Sequence, residues 1–371
     1  MHDLLSELRQ WHRSGTDFAV ATVVSVRGSA PRGPGAAMAV AVGGQVAGSV
    51  SGGCVEGAVY EAATDVLASG PPQLHTYGIS DEEAFSVGLT CGGTLGVFVQ
   101  AFSGEEDRAE LMRILDVVER GEPMAVATII SSTASGRDPG ARIAVRRDAA
   151  EGTLGDPSLD LAVTGDSRDL LSQGSTGLHH YGAQGQRRMD DVAVFVQSYA
   201  PPPRMLVFGA IDYAAATARM GSFLGYRVTV CDARPVFATP ERFPTAHEVV
   251  CAWPSDYLAS TETDARTAIC VLTHDPKFDI PLLVTALRTP AGYIGVMGSR
   301  RTHADRTVRL RAAGVDEAGL RRLASPIGLD LGSRTPEETA VSIAAEIIQR
   351  RRGGTAQPLS SLTGDIHPLP D

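Results

Sequence analysis

Two absences narrow the field of partners at once: the 371 residues contain no long apolar run and no basic cluster. A bilayer-spanning helix needs about 18 or more consecutive apolar residues, so no span is expected. The N-terminus also lacks the charged, apolar and small-residue succession of a secretory signal, and the chain is expected to be cytoplasmic. Lysine and arginine total 33 against 43 acidic residues, a net charge of −10, which disfavours a nucleic-acid surface. Arg350–Arg352 is only a short run at the end of an expected helix. The five cysteines are odd in number, scattered and without CxxC pairs, so neither a disulfide framework nor a zinc ribbon is indicated. Reduced thiols fit the expected compartment.

Glycine is plentiful, with 40 residues, and it gathers around two of the cysteines. Residues 48–68 read GSVSGGCVEGAVYEAATDVLA. A short strand (45–49) enters a Gly52-Gly53 turn, after which Val55, Ala58, Val59, Ala62, Ala63, Val66 and Leu67 recur at helical spacing. The expected helix has Cys54 as its first residue, where free N–H groups and the helix dipole favour a thiolate and a bound phosphate. A second such turn is Gly88-Leu89-Thr90-Cys91-Gly92-Gly93, just before an apolar strand at 95–99. Two small buried cysteines at tight turns would look the same taken one at a time. The loop at 27–35 adds Arg27 and Arg32, which suit an anion or a solvated hairpin.

The N-terminal part repeats itself. FAVATVV at 18–24 resembles MAVATII at 124–130, a shift of 124 − 18 = 106. LHTYG at 74–78 resembles LHHYG at 178–182, a shift of 178 − 74 = 104, and VFVQ at 97–100 returns at 194–197. An α+β domain with an internal duplication is therefore expected over residues 1–199, with degenerate copies at about 18–102 and 124–198 joined by a helix near 105–120. In the second copy residues 48–54 align with Gly152-Thr-Leu-Gly-Asp-Pro-Ser158, and Cys91 has no counterpart. If only one copy keeps the cysteines, the other completes the scaffold.

Pro201-Pro202-Pro203 is a stiff linker, and a tail at 353–371 ends the chain. Between them, residues 204–352 alternate strands and helices in the rhythm of a Rossmann-like doubly wound parallel sheet. Met205-Leu-Val-Phe leads into Gly209, where a dinucleotide fingerprint begins, but Ile211 and Ala214 replace its later glycines and Asp212 brings a negative charge. Asp232 ends the second strand, where a ribose-binding carboxylate belongs. Other strand ends carry Thr273-His274-Asp275, then Gly298-Ser299-Arg300-Arg301 opening a helix that suits a phosphate, and Ser325-Pro-Ile-Gly-Leu-Asp330.

These motifs, in this order, resemble the XdhC/CoxI family: GSVSGGCVE at 48–56, LTCGG at 89–93, THD at 273–275, YIGVMGSR at 293–300 and SPIGLD at 325–330 followed by RTPEE at 334–338. The resemblance implies an accessory protein that binds molybdenum cofactor (molybdopterin), supports its sulfuration and delivers it to a molybdenum hydroxylase apoenzyme of xanthine dehydrogenase or carbon monoxide dehydrogenase type. A cysteine desulfurase as sulfur donor belongs to the same expectation, and the stiff prolines at 201–203, which limit the reach of one half relative to the other, add that of a homodimer. The cofactor-binding residues it implies are Ser51, Gly52, Gly53, Cys54, Glu56, Cys91, Gly92, Gly93, Gly209, Asp232, His274, Asp275, Gly298, Ser299, Arg300 and Asp330, with Cys54 and Cys91 toward the metal and no catalytic residue. Where the family usually has GAGHVG this chain has Gly209-Ala-Ile-Asp-Tyr-Ala214. The alternative is an NAD(P)-dependent oxidoreductase with His274 as acid or base and Asp232 on the ribose.

Overall fold

In a computed structural model, residues 4–28, 30–78, 93–273 and 275–363 are described. The chain forms two compact units, the first ending at Pro201 and the second spanning Pro202–Leu362.

The first unit opens with α1 (Leu5–Arg13). Then come β1 (Phe18–Arg27), β2 (Ala37–Ala41), β3 (Val46–Gly48), α2 (Glu56–Ser69), β4 (Gln73–Tyr77) and β5 (Thr94–Phe102). The strands form an antiparallel sheet in the order β3-β2-β1-β5-β4. Helix α3 (Gly104–Glu119) leads to β6 (Met124–Ser132), β7 (Arg142–Val145), β8 (Ala150–Gly152), α4 (Pro157–Gln173), β9 (Gly177–Tyr181) and β10 (Val192–Tyr199). Their sheet has the order β8-β7-β6-β10-β9, the same topology strand for strand. The internal duplication read from sequence is thus a duplicated fold.

Alternation along the strands gives each sheet two buried faces. Ala19, Ala21 and Val23 of β1 pack against Val59 and Ala63 of α2, and Ala127 and Ile129 of β6 pack against Leu159 and Val163 of α4. The opposite faces meet through Val24, Phe98, Ile130, Ala193 and Phe195. The repeated VFVQ motifs cross this contact reciprocally. Gln100 Nε2 donates to the Gly140 carbonyl at 3.5 Å, and Gln197 Nε2 donates to the Gly35 carbonyl at 3.2 Å.

The second unit contains β11 (Arg204–Phe208), α5 (Asp212–Phe223), β12 (Arg227–Asp232), β13 (Glu248–Cys251), α6 (Pro254–Ala259), β14 (Ala268–Val271), α7 (Pro276–Arg288) and β15 (Tyr293–Val296). It continues with α8 (Arg300–Ala312), α9 (Glu317–Arg321), β16 (Leu323–Ala324) and α10 (Pro336–Arg352). All strands are parallel, in the order β13-β12-β11-β14-β15-β16. The order reverses between β11 and β14, where sheets of this kind open a crevice at their strand C-termini. Helix α7 begins at Pro276, and Asp275 caps it by accepting from the Lys277 N–H at 3.0 Å. Among the described residues no helix is long and apolar enough to cross a membrane.

Candidate functional site

Cys54 does not begin a helix. Gly52 and Gly53 have φ of +80° and +124°, a region that L side chains rarely adopt and no right-handed helix uses, so α2 starts only at Glu56. The turn closes on the Glu56 carboxylate. Its Oε1 accepts from Ser49 Oγ at 2.6 Å, Ser51 N at 2.8 Å and Gly52 N at 2.9 Å; its Oε2 accepts from Ser51 Oγ at 2.6 Å and Gly53 N at 2.8 Å. Partial burial opposes ionisation here, yet the Ser49 and Ser51 hydroxyls and the backbone N–H groups outweigh it and hold the acid down at about 2. Ser51, itself buried, accepts from the Cys54 and Val55 N–H groups at 3.0 and 3.1 Å. The N–H groups expected to seat a phosphate are therefore filled by the chain's own carboxylate, while Cys54 is left half-buried between two exposed glycines and the helix.

The second copy explains what these residues change. Asp160, 104 positions after Glu56, accepts from Thr153 Oγ1 at 2.8 Å and Leu154 N at 2.7 Å. Asp156 caps α4 by accepting from the Ser158 and Leu159 N–H groups at 2.9 and 3.0 Å, and Pro157 occupies the first helical position. Helix α4 thus begins at the equivalent of Gly53 (157 − 104 = 53), three residues earlier than α2. Replacing Asp-Pro-Ser by Gly-Gly-Cys removes the cap and the pre-set φ. The first helical turn becomes a loop that carries the thiol.

At the switch point of the parallel sheet lies a cavity of about 370 Å³ lined by Gly209, Ile211, Asp232, Ala233, Arg234, Pro254, Leu272, Thr273, Asp275, Lys277 and Phe278. Gly209 has φ of +106°, and a Cβ there would fall 2.9 Å from the Thr273 methyl, so only glycine fits this turn. Asp232 is buried and saturated. It accepts from Ala210 N at 2.7 Å, Arg234 N at 2.9 Å, Arg234 Nε at 2.9 Å and Arg234 Nη2 at 2.8 Å. Burial would raise its pKa, but the Arg234 fork and these N–H groups hold it below the usual carboxylate range. A ribose diol would have to displace Arg234. Asp212 does not crowd the crevice as its position in the sequence suggests: its side chain is 86% exposed and faces Arg242 at 3.8 Å.

The remaining sequence-derived residues separate. Cys91, Gly92 and His274 lie outside the described residues. Gly93 is buried just before β5. Gly209, Asp232 and Asp275 share the crevice. Gly298, Ser299, Arg300 and Asp330 do not line it; Ser299 Oγ accepts from the Thr302 N–H at 3.1 Å as the cap of α8, Arg300 is the first residue of that helix, and Asp330 is exposed.

Several residues that shape this end of the sheet carry no motif signal. Buried Arg306 on α8 pairs with buried Asp279 on α7 at 3.2 Å and donates to the Met297 carbonyl at 2.9 Å and to Ser325 Oγ at 3.3 Å. Asp279 also accepts from Thr273 Oγ1. One ion pair thus ties together the THD, MGSR and SPIGLD segments. Glu346 on α10 does likewise, accepting from Tyr293 OH and Gly328 N, both at 2.7 Å. Arg234 was legible in principle, since it stands two residues beyond the acid at a strand end.

Comparison with known proteins covers both units. A profile described as the XdhC Rossmann domain matches residues 205–347, and that of the XdhC and CoxI family matches residues 11–78 and 117–182, segments offset like the two copies. A Bacillus subtilis protein, named as one of the probable subunits of xanthine dehydrogenase, is 30% identical over 91% of this chain and 94% of its own length. The Escherichia coli molybdenum cofactor insertion chaperone PaoD is 26% identical over 91% of this chain and 85% of its own. A solved structure titled a xanthine dehydrogenase from Bacillus halodurans shares the fold, with a TM-score of 0.62 and 24% identity over 96% of this chain and 98% of that one. With both profiles matched along most of its length, the chain belongs to the XdhC and CoxI family.

Proposed function

We propose that the protein is an accessory factor that binds molybdenum cofactor, supports its sulfuration and delivers it to the apoenzyme of a molybdenum hydroxylase. The observation that carries this reading is the thiol turn: of two copies of one fold, only the first unwinds its helix start, and the loop so formed carries the half-buried Cys54. Kinship with PaoD and with the Bacillus subtilis protein named for xanthine dehydrogenase supports the same reading.

The residues present fit such a group in part. A thiolate is a soft ligand suited to the metal end of the cofactor, and the Gly52-Gly53 backbone leaves room for close approach, with nothing within 4 Å of a Cβ built at either position. The turn does not fit the phosphate end, because Glu56 holds its N–H groups. When bound, the cofactor supplies the redox-active molybdenum of the client enzyme. This chain's part is to hold it through Cys54 and Cys91 and to release it to a partner. A cysteine desulfurase as sulfur donor and a homodimer complete the proposal.

Anaerobic loading of the purified protein with molybdenum cofactor, followed by gel filtration and metal analysis, tests it. The wild type is expected to retain cofactor, and Cys54→Ser or Cys91→Ser to lose it with unchanged circular dichroism. Equal retention by wild type and both variants would refute the role of the thiols.

A further inference from the structure

Helix α10 carries a face that its own unit leaves uncovered. Its buried side packs into the core of the second unit through Ile343 and Ile347, with Ala340 and Ala344 beside them. Along the exposed side Glu337, Val341, Ala345, Ile348 and Arg352 follow one another at steps of four, four, three and four, which gathers them into one stripe of a 3.6-residue helix. Val341 is 46% and Ile348 44% exposed. The neighbouring helix α5 extends the patch. Its Arg219 reaches Glu337 at 3.0 Å, and Phe223, one turn further along the same face of α5, is 84% exposed.

The stripe matches itself end for end. Around the central pair Ala344-Ala345, Val341 and Ile348 lie three residues to either side (344 − 341 = 348 − 345 = 3), and Glu337 and Arg352 lie seven (344 − 337 = 352 − 345 = 7). A second α10 laid antiparallel on the first, about a twofold axis through the alanines, sets Val341 against Ile348 and Glu337 against Arg352. Each pairing occurs twice, as an isologous interface requires. Small alanines let the two backbones approach at the axis, and a crossing of about 20° keeps the pairs in line over the roughly 22 Å from Glu337 to Arg352. An acid in the first turn and a base in the last also suit the dipole of the helix itself, but the dipole gives no account of two exposed branched side chains between them. Arg219 engages Oε1 of Glu337, and the second carboxylate oxygen can take a further cation.

We propose that this stripe is the surface on which two copies of the chain associate, α10 against α10, with Phe223 of each copy flanking the contact. Charge complementarity selects a second copy as the occupant, because the stripe supplies the match for each of its own groups. The inference rests on the homodimer of the function proposed above and gives it residues, and it makes no demand on the cofactor.

Sedimentation equilibrium of the full chain tests the surface. The wild type is expected to dimerise in the micromolar range. Ile348→Glu should raise the dissociation constant about tenfold or more, since it sets a carboxylate against Val341 at two places. Glu337→Arg and Arg352→Glu should each do the same by bringing like charges together at both ends. An equimolar mixture of those two variants restores opposite charges at both ends, as does the double variant, and each should return to within about threefold of wild type. All three positions are exposed, and circular dichroism checks that the fold is kept. A wild type that is still monomeric at about 100 micromolar would overturn the homodimer and its surface together, while cofactor retention through Cys54 stands or falls by its own test. A dimer indifferent to Ile348→Glu and to both charge reversals, or reversals that mixing does not rescue, would overturn the surface and leave the homodimer.

Discussion

Glu56→Gln removes the charge at the centre of the Cys54 turn, and its cost follows from the five donors that converge there. The amide oxygen can keep at most the three donors on Oε1, and the NH2 group would confront the Gly53 N–H and the Ser51 hydroxyl on the other side. Lowering a carboxyl from 4.5 to about 2 corresponds to about 3 kcal/mol at 1.36 kcal/mol per pH unit, which solvent screening at this partly exposed site trims to about 1–2 kcal/mol. For a unit of this size that is a fall in Tm of roughly 2–8 °C. Because the folded pKa lies below the unfolded one, the contribution is fully present above about pH 4.5 and is lost as the pH falls toward 2. The gap between wild type and variant should therefore be widest at neutral pH and shrink through the acid range. Urea unfolding followed by the fluorescence of Trp11, in a Trp253→Phe background, reads the first unit alone. Asp160→Asn, at a carboxylate that accepts two hydrogen bonds rather than five, is the comparison and should cost less. A Glu56→Gln midpoint equal to wild type at pH 7, or a gap that stays constant from pH 7 to pH 3, would refute the account.

Two further outcomes concern the second unit. Titration with NAD, NADH, NADP or NADPH should give no saturable binding tighter than about millimolar, about 4 kcal/mol of binding free energy, because Ile211 and the Arg234–Asp232 pair occupy the dinucleotide path; micromolar affinity measured by calorimetry would contradict this. Arg306→Met leaves Asp279 as a buried charge without its partner cation, at a cost of about 3–5 kcal/mol. Urea midpoints of Arg306→Met, Asp279→Leu and the double variant should show the double variant recovering part of the loss, and strict additivity would argue against the pairing.

The periodic and punctuated parts of the chain were legible in the sequence. The strands that carry FAVATVV and Met205-Leu-Val-Phe and the helix that ends in Arg350–Arg352 follow from apolar patterning that acts locally. The duplication could be read because its motifs lie on buried strands where the side-chain pattern is constrained. What sequence missed depends on long-range partners. The start of α2 slipped from Cys54 to Glu56 because helical spacing cannot register two positive-φ glycines and a carboxylate reaching back to them. Asp232 stands where a ribose acid belongs, yet its function is redirected by a neighbour that no dinucleotide fingerprint includes. Strand β13, short and half-exposed at the sheet edge, lacked a pattern to announce it. The grouping of Gly209, Asp232 and Asp275 in one crevice followed from the strand-end rule, whereas Gly298 and Ser299 were drawn into helix capping.

The exchange of Gln100 and Gln197 between the halves of the first unit has a consequence for stoichiometry. Each glutamine satisfies a carbonyl in the other copy, so neither half is self-sufficient, and the unit is in effect a dimer whose two members are joined by α3. Covalent joining holds the two halves at an effective concentration near millimolar. Under that tether a half can trade its helix cap for a thiol loop without having to find a mate in solution, and a symmetric pair that would have displayed two identical turns displays one.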